Sequence, residues 1–250
     1  MTFKDHFSGH AAQYAQARPH YPAALFAGLA ARMPARGRCW DAGCGNGQAS
    51  VALAAHFAAV YATDPSAEQI ANAEPHPRVT YAVERAESCS LPDHDADLAT
   101  IAQALHWCDV DAWHREVARV LRPGGVVAEI GYARSQVNAD VDAVYARLYE
   151  DITAPYWPPE RAQIDRHYAD LPFPFERVDL GPLPPMQQHW PLAQYLAYLD
   201  SWSAVARYRR QHGHSPLDLV QDDFVRAWGD PNEARIVQWD LFVRVGRTAR

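Results

Sequence analysis

The chain has 250 residues, 48% of them hydrophobic, a formal charge of −7 and four cysteines. That is enough apolar material for one α/β domain with a cap, and the acidic balance argues against a polyanion-binding face, so no nucleic-acid partner is expected. Cys39, Cys44, Cys89 and Cys108 form no C-x-x-C pair, which removes a zinc knuckle, a disulfide framework and any metal site from the expectation. The opening Thr2-Phe3-Lys4-Asp5-His6 is polar and no apolar run is long enough to cross a bilayer. A cytoplasmic protein with no membrane partner, monomeric or homodimeric, is expected.

In chain order, Arg18-Pro19-His20-Tyr21-Pro22 carries two prolines that forbid continuous helix, and Leu25 to Met33 has helical composition that stops at Pro34. Strands and helices then alternate: strand 38–42, helix 48–56, strand 60–64, helix 66–73, strand 79–83, strand 97–102, helix 109–121 and strand 126–131, with Pro123-Gly124-Gly125 ending the last helix. Such alternation implies a parallel sheet. Beyond Tyr132 the pattern predicts a helix over 137–152, a proline- and aromatic-rich stretch over 154–159 and a strand over 176–180. Prolines and aromatics fill 182–191, and helices over 192–212 and 217–228 precede a strand over 236–245. The late helices interrupt two strands, which places them beyond the carboxyl edge of the sheet, where open α/β sheets bind ligands. The organisation expected is a helical segment over the site (1–34), a ligand-binding core (35–132), and lid helices plus strands completing the same sheet (133–250).

The chemistry concentrates in Cys39-Trp40-Asp41-Ala42-Gly43-Cys44-Gly45-Asn46-Gly47 and, at the end of the next strand, Thr63-Asp64-Pro65. G-x-G-x-G between a strand and a helix marks a turn whose backbone comes close to a ligand. An acid ending the second strand can accept hydrogen bonds from both hydroxyls of a ribose. A dinucleotide pyrophosphate prefers G-x-G-x-x-G at a helix N-terminus. Here Asp41 stands two residues before the first glycine, where it repels phosphate, and Gln48 occupies the position that pattern gives to Gly or Ala. S-adenosylmethionine, cationic and without phosphate, fits better; an NAD-dependent oxidoreductase is the alternative these two departures disfavour. A turn without any ligand is set aside because glycines and acids share one βαβ frame.

Asp41 to Gly47, Thr63-Asp64-Pro65-Ser66, Ala86-Glu87, Gln103-Ala-Leu-His-Trp107 and Arg119-Val-Leu-Arg-Pro-Gly-Gly125 resemble the successive motifs of class I S-adenosylmethionine-dependent methyltransferases of the type 11 small-molecule group. The flanks, with Phe7-Ser8, Tyr14, Arg18-Pro19, Tyr21-Pro22 and Gly246-Arg247, resemble its trans-aconitate methyltransferase-like members. The resemblance spans nearly the whole chain. It implies an α/β fold with a Rossmann-like, seven-stranded, mostly parallel sheet, its last strand antiparallel, helices on both faces and a helical lid inserted before the last strands. It implies that Asp41 and the backbone of Gly43, Cys44, Gly45 and Gly47 hold the methionine part of the cofactor, with Asp41 near its amino group. Asp64, with Pro65 and Ser66, takes the ribose; Glu87, with Ala86 beside it, accepts from the adenine amino group; Gln103 meets the methionine end; Tyr14 and Arg18 close the site.

Methyl transfer is an in-line displacement that asks the protein mainly for alignment and exclusion of water. A carboxylate acceptor needs no base, whereas a hydroxyl or an ammonium does. His106 is the candidate catalytic residue, as that base or as a donor orienting the acceptor. Tyr21, His106, Trp107, Tyr195 and Trp202 are candidates for the acceptor pocket, and the lid aromatics with Arg207 and Arg210 could recognise a planar or carboxylated acceptor, a small molecule. Each also has a plain structural reading, as core aromatic or solvated helix face. A non-catalytic S-adenosylmethionine-binding protein and a macromolecular methyltransferase complete the alternatives; the acidic balance and the lack of an N/D-P-P-Y signature after the fourth strand weigh against the latter.

Overall fold

The computed structural model describes residues 18–33 and 35–249, so Tyr14, Phe7 and Ser8 lie outside the described residues. After α1 (Ala23–Ala31) the chain runs β1 (Arg38–Ala42), α2 (Gln48–Ala54), β2 (Ala59–Asp64), α3 (Ala67–Ala71), β3 (Val79–Val83), β4 (Ala96–Ala102), α4 (Val110–Val120) and β5 (Leu121–Gln136). Then follow α5 (Ala139–Ala146), α6 (Arg161–Asp165), β6 (Glu176–Arg177), β7 (Met186–Trp190), α7 (Leu192–Asp200), α8 (Ser203–His212), α9 (Gln221–Trp228) and β8 (Arg235–Arg247).

These strands form one sheet in the order β3-β2-β1-β4-β5-β8-β6, with β7 also pairing with β8. β1 to β5 are parallel and β8 runs antiparallel to β5, as the resemblance implied. The sheet has eight strands rather than seven because its outer edge is shared: β6 pairs with β8 at Gly246 and Arg247, and β7 pairs with it from Arg235 to Trp239. β7 falls in the stretch whose prolines suggested no strand, and it forms because β8 offers an open edge. The strand expected over 176–180 shortens to Glu176–Arg177, and the helix expected over 192–212 breaks where Trp202 turns extended, with ψ of 140°.

Side chains alternate across the strands with period two. Cys39, Leu98, Val126, Ala128 and Ile130 face α1 and α2, packing with Phe26, Leu29 and Leu53. Trp40, Ala99, Ile101 and Val127 face the opposite way, against Trp113, Val117 and Val120 of α4. Both faces are therefore covered, which is how a parallel sheet buries itself. A third core lies in the lid, where Tyr145, Leu148, Tyr195, Leu199, Phe224 and Trp228 pack on Tyr132 and Trp239.

A buried ion pair sits inside the sheet layer. Glu129 of β5 is fully buried opposite its cross-strand partner Arg244 of β8, whose Nε donates to it at 2.8 Å. Trp113 Nε1 donates to the same carboxylate at 3.1 Å, and His114 Nε2 lies 2.8 Å from it. Arg244 also donates to the carbonyls of Tyr168, Leu171 and Pro172, at 2.6, 2.9 and 3.1 Å, and so fastens that loop to the sheet. No helix among the described residues is long and apolar enough to cross a membrane.

Candidate functional site

β1 ends in a turn that only glycine fits. Gly43 has φ of +62°, and a Cβ on it would lie 2.5 Å from the Ala104 methyl; Gly47 has φ of +89°, and a Cβ there would lie 2.1 Å from Tyr81 Oη. Both departures from ordinary geometry bring backbone close to whatever lies above the carboxyl edge. The turn is tied to β2 by Cys44 N, which donates to Thr63 O at 3.0 Å.

Two acids stand at the ends of β1 and β2. Asp41 is buried and its oxygens accept from Ser50 Oγ at 2.6 Å and Thr100 Oγ1 at 2.8 Å. Burial pushes its carboxyl up, the two hydroxyls pull it down, Asp64 nearby adds to the rise, and the result is about 6. Asp64 accepts from Gly45 N at 2.9 Å and Ser66 N at 2.8 Å, so it fastens the two loops together across half-buried Pro65. Ser66 caps α3 by accepting from Gln69 N at 3.3 Å.

Gln69 is a residue the sequence reasoning missed. It is buried, its Oε1 has no hydrogen-bond partner among the described residues, and that oxygen lies 3.9 Å from the Cβ position of Gly45. A buried acceptor without a donor is costly in a native fold unless a ligand supplies one. The available signal was its place three residues after the helix-capping Ser66.

At the end of β3, Ala86 is buried and Glu87 is turned to its neighbours: Arg85 Nε donates to it at 3.2 Å and Asp109 N, at the start of α4, at 3.0 Å. Burial works against its charge, yet Arg85 and the Asp109 amide hold its carboxyl below the usual range. Gln103 has φ of +54° and its amide group pairs with the Tyr132 backbone in both senses, Nε2 donating at 2.9 Å and Oε1 accepting at 3.3 Å. It extends the β4–β5 ladder by one residue, so the side chain expected at the methionine end is occupied by the sheet.

His106 lies in a single 3₁₀ turn, Leu105–Trp107, just past β4. It is buried, its Nδ1 is 3.1 Å from Tyr168 Oη, and its ring lies 4.6 Å from that of Trp107. Burial above all, with the field of Arg161, lowers its pKa to about 3, so the imidazole is neutral at any ordinary pH.

The lid reaches this edge from the other side. Arg18 donates to Tyr132 Oη at 3.4 Å and to Ser201 O at 3.2 Å, and Tyr21 packs edge-on against Tyr132, ring centroids 6.0 Å apart. Trp202 is buried among Tyr145, Tyr149 and Trp157, at 5.4, 5.7 and 5.3 Å between ring centroids. Tyr195 is wholly buried, its hydroxyl 3.1 Å from Ser135 Oγ and its ring against Trp228, which places it in the lid core. Arg207 donates to Tyr156 O at 3.3 Å and Arg210 is exposed to solvent, so neither arginine named for acceptor recognition points at His106 through a contact seen here.

Residues 40–128 match a family model described as a methyltransferase domain. A protein of Dictyostelium discoideum assigned as a methyltransferase is 31% identical over 230 residues, covering 90% of this chain and 87% of its own length. A solved structure from Anaeromyxobacter dehalogenans, assigned as a type II methyltransferase, is 45% identical, with a TM-score of 0.86 over 93% of this chain and 99% of its own. A malonyl-[acyl-carrier protein] O-methyltransferase of Enterobacter lignolyticus is 35% identical over 128 residues, 47% of this chain and 51% of its own.

Proposed function

Since the chain belongs to the methyltransferase domain family and is an S-adenosylmethionine-dependent methyltransferase, we propose that it methylates a small organic acceptor at a carboxylate oxygen, by in-line displacement. The cofactor, when bound, supplies an electrophilic methyl group on a sulfonium. The residues at the carboxyl edge suit such a cation: two acids, a backbone turn that a Cβ would fill, and an acceptor at Gln69 in want of a donor. Asp41 lends negative charge near the methionine end, and Asp64 and Ser66 are the residues we assign to the ribose. Pro65 shapes their loop, and Glu87 and Ala86 are assigned to the adenine. Gly43, Cys44, Gly45 and Gly47 contribute backbone.

The observation that carries the acceptor class is the state of His106. A general base works best with a pKa near the operating pH. A histidine held near 3 is too weak to take a proton from a hydroxyl or an ammonium, which favours a nucleophile that arrives already ionised, as a carboxylate does. Burial raises the Tyr168 hydroxyl, which therefore keeps its proton. With Tyr168 donating to Nδ1, the Nε2–H of His106 is left to donate to the acceptor and orient it. Trp107, its ring tilted against that of His106, lends an apolar wall. The O-methyltransferase relative, matched over half its length, is in keeping with an oxygen nucleophile.

The test is a screen of small carboxylic acids, phenols and amines with isotopically labelled methyl donor. Carboxylic acids are expected to take the label as alkali-labile methyl esters; label on phenols or amines alone would overturn the reading.

A further inference from the structure

A cation in the lid remains unused by that reading. Arg161 begins α6, the short helix that packs directly on the His106 turn and on β5. Only 17% of its side chain is exposed. Its guanidinium lies 5.5 Å from the ring centroid of Trp157 and 5.8 Å from that of Tyr149, and these rings continue into Trp202 and Tyr145.

Yet that guanidinium makes no hydrogen bond among the described residues. Its ionic neighbour, Asp165 Oδ1, stands off at 3.6 Å, and both oxygens of Asp165 already accept from Tyr149 Oη, at 2.9 and 3.2 Å. Arginine has five donors in a rigid fork shaped for a carboxylate. Among the described residues no hydrogen bond engages these donors, and none of them is wholly shut off from solvent, so an anion entering between them and the aromatic walls would find the fork open. The charge of Arg161 also reaches His106 and the hydroxyls of Tyr145 and Tyr198, which places it at the seam between lid and core.

We propose that Arg161 anchors the acceptor by pairing bidentately with a carboxylate on a planar body packed against Trp157 and Trp202, and that this carboxylate is not the one methylated. A carboxylate clamped by arginine has its charge neutralised and its lone pairs engaged, so it is a poor nucleophile. The methylated oxygen must belong to a second group, presented at His106. The inference rests on the carboxylate-acceptor reading above and narrows it to planar dicarboxylates.

Benzoate, terephthalate and neutral benzamide are the probes, titrated by tryptophan fluorescence into the protein saturated with S-adenosylhomocysteine. Wild-type protein is expected to bind benzoate and terephthalate more tightly than benzamide. Arg161→Gln should lose at least tenfold for both anions and nothing for benzamide; Arg161→Lys should recover part of the loss. Unchanged affinity of Arg161→Gln for S-adenosylhomocysteine shows that the variant is folded. No anion binding by wild-type protein, or equal anion binding by Arg161→Gln, would overturn the proposal. So would a loss confined to S-adenosylhomocysteine, since the arginine would then grip the donor's own carboxylate. If the anchor stands but the labelled methyl appears only on phenols or amines, the anchoring role survives and the carboxylate-methylation reading fails.

Discussion

Asp41 carries a charge that its surroundings resist, and its pH behaviour follows. Its folded pKa of about 6 lies above its ordinary value of 3.8, so its contribution to stability is fully present below pH 3.8 and is lost as pH rises through 6. The loss is on the order of 2–3 kcal/mol, at about 1.4 kcal/mol per pH unit of displacement. A bound ammonium group returns part of it by favouring the carboxylate. S-adenosylmethionine affinity should therefore rise between pH 5 and 7 with release of a proton near pH 6, measured by calorimetry in buffers of different ionisation heat. Asp41→Asn should flatten both; a pH dependence that survives the substitution would assign the proton to another group. Asp41, Asp64 and the glycines were legible in the sequence because their relation is local, a turn and the strand after it. Arg161 was not: it lies in a stretch without periodicity, and its nearness to His106 exists only once α6 folds onto the 3₁₀ turn. Arg207 and Arg210 had the right composition, and tertiary packing gave them a backbone carbonyl and solvent instead.

Among the elements, the β1–α2 turn is the most constrained. Gly47 combines a left-handed backbone with the Tyr81 hydroxyl standing where a Cβ would go, and that hydroxyl donates to Glu74 O at 2.7 Å. Gly47→Ala must strain the turn or displace Tyr81, and should cost about 1–3 kcal/mol in urea unfolding together with cofactor affinity. Adding Tyr81→Ala should recover the steric part; no recovery would mean that backbone strain alone sets the cost. Strand and helix alternation through β5 was readable because each element carries its own period. β7 was not, since Gln187, Gln188 and His189 between flanking prolines look like loop, and only the open edge of β8 makes them a strand. On the same strand, the segment expected over 176–180 pairs only at Glu176 and Arg177, with Val178 N adding one further bond to Val245 O.

For the molecule as a whole, the Glu129–Arg244 pair joins α4, β5, β8 and the loop that carries Tyr168 to His106. Removing one partner strands a buried charge, and Arg244→Met or Glu129→Gln should each cost about 3–5 kcal/mol by chemical denaturation, with the double substitution costing less than their sum. Strict additivity would show that the two residues do not act as a pair. Nothing in the local sequence marks this pair, because its members meet only through the antiparallel register of β5 and β8. That register has a consequence for how the chain is made. β8 is the latest strand of the described residues, yet it lies between β5 and both edge strands, and its side chains enter the lid core through Val237 and Trp239 and a sheet core through Val245. While a ribosome is still making the second half, the cofactor turn can fold locally, but β5 faces water with an open hydrogen-bonding edge that invites a neighbouring chain. Synthesis of this protein therefore passes through a long interval in which its best-formed sheet is also its most exposed.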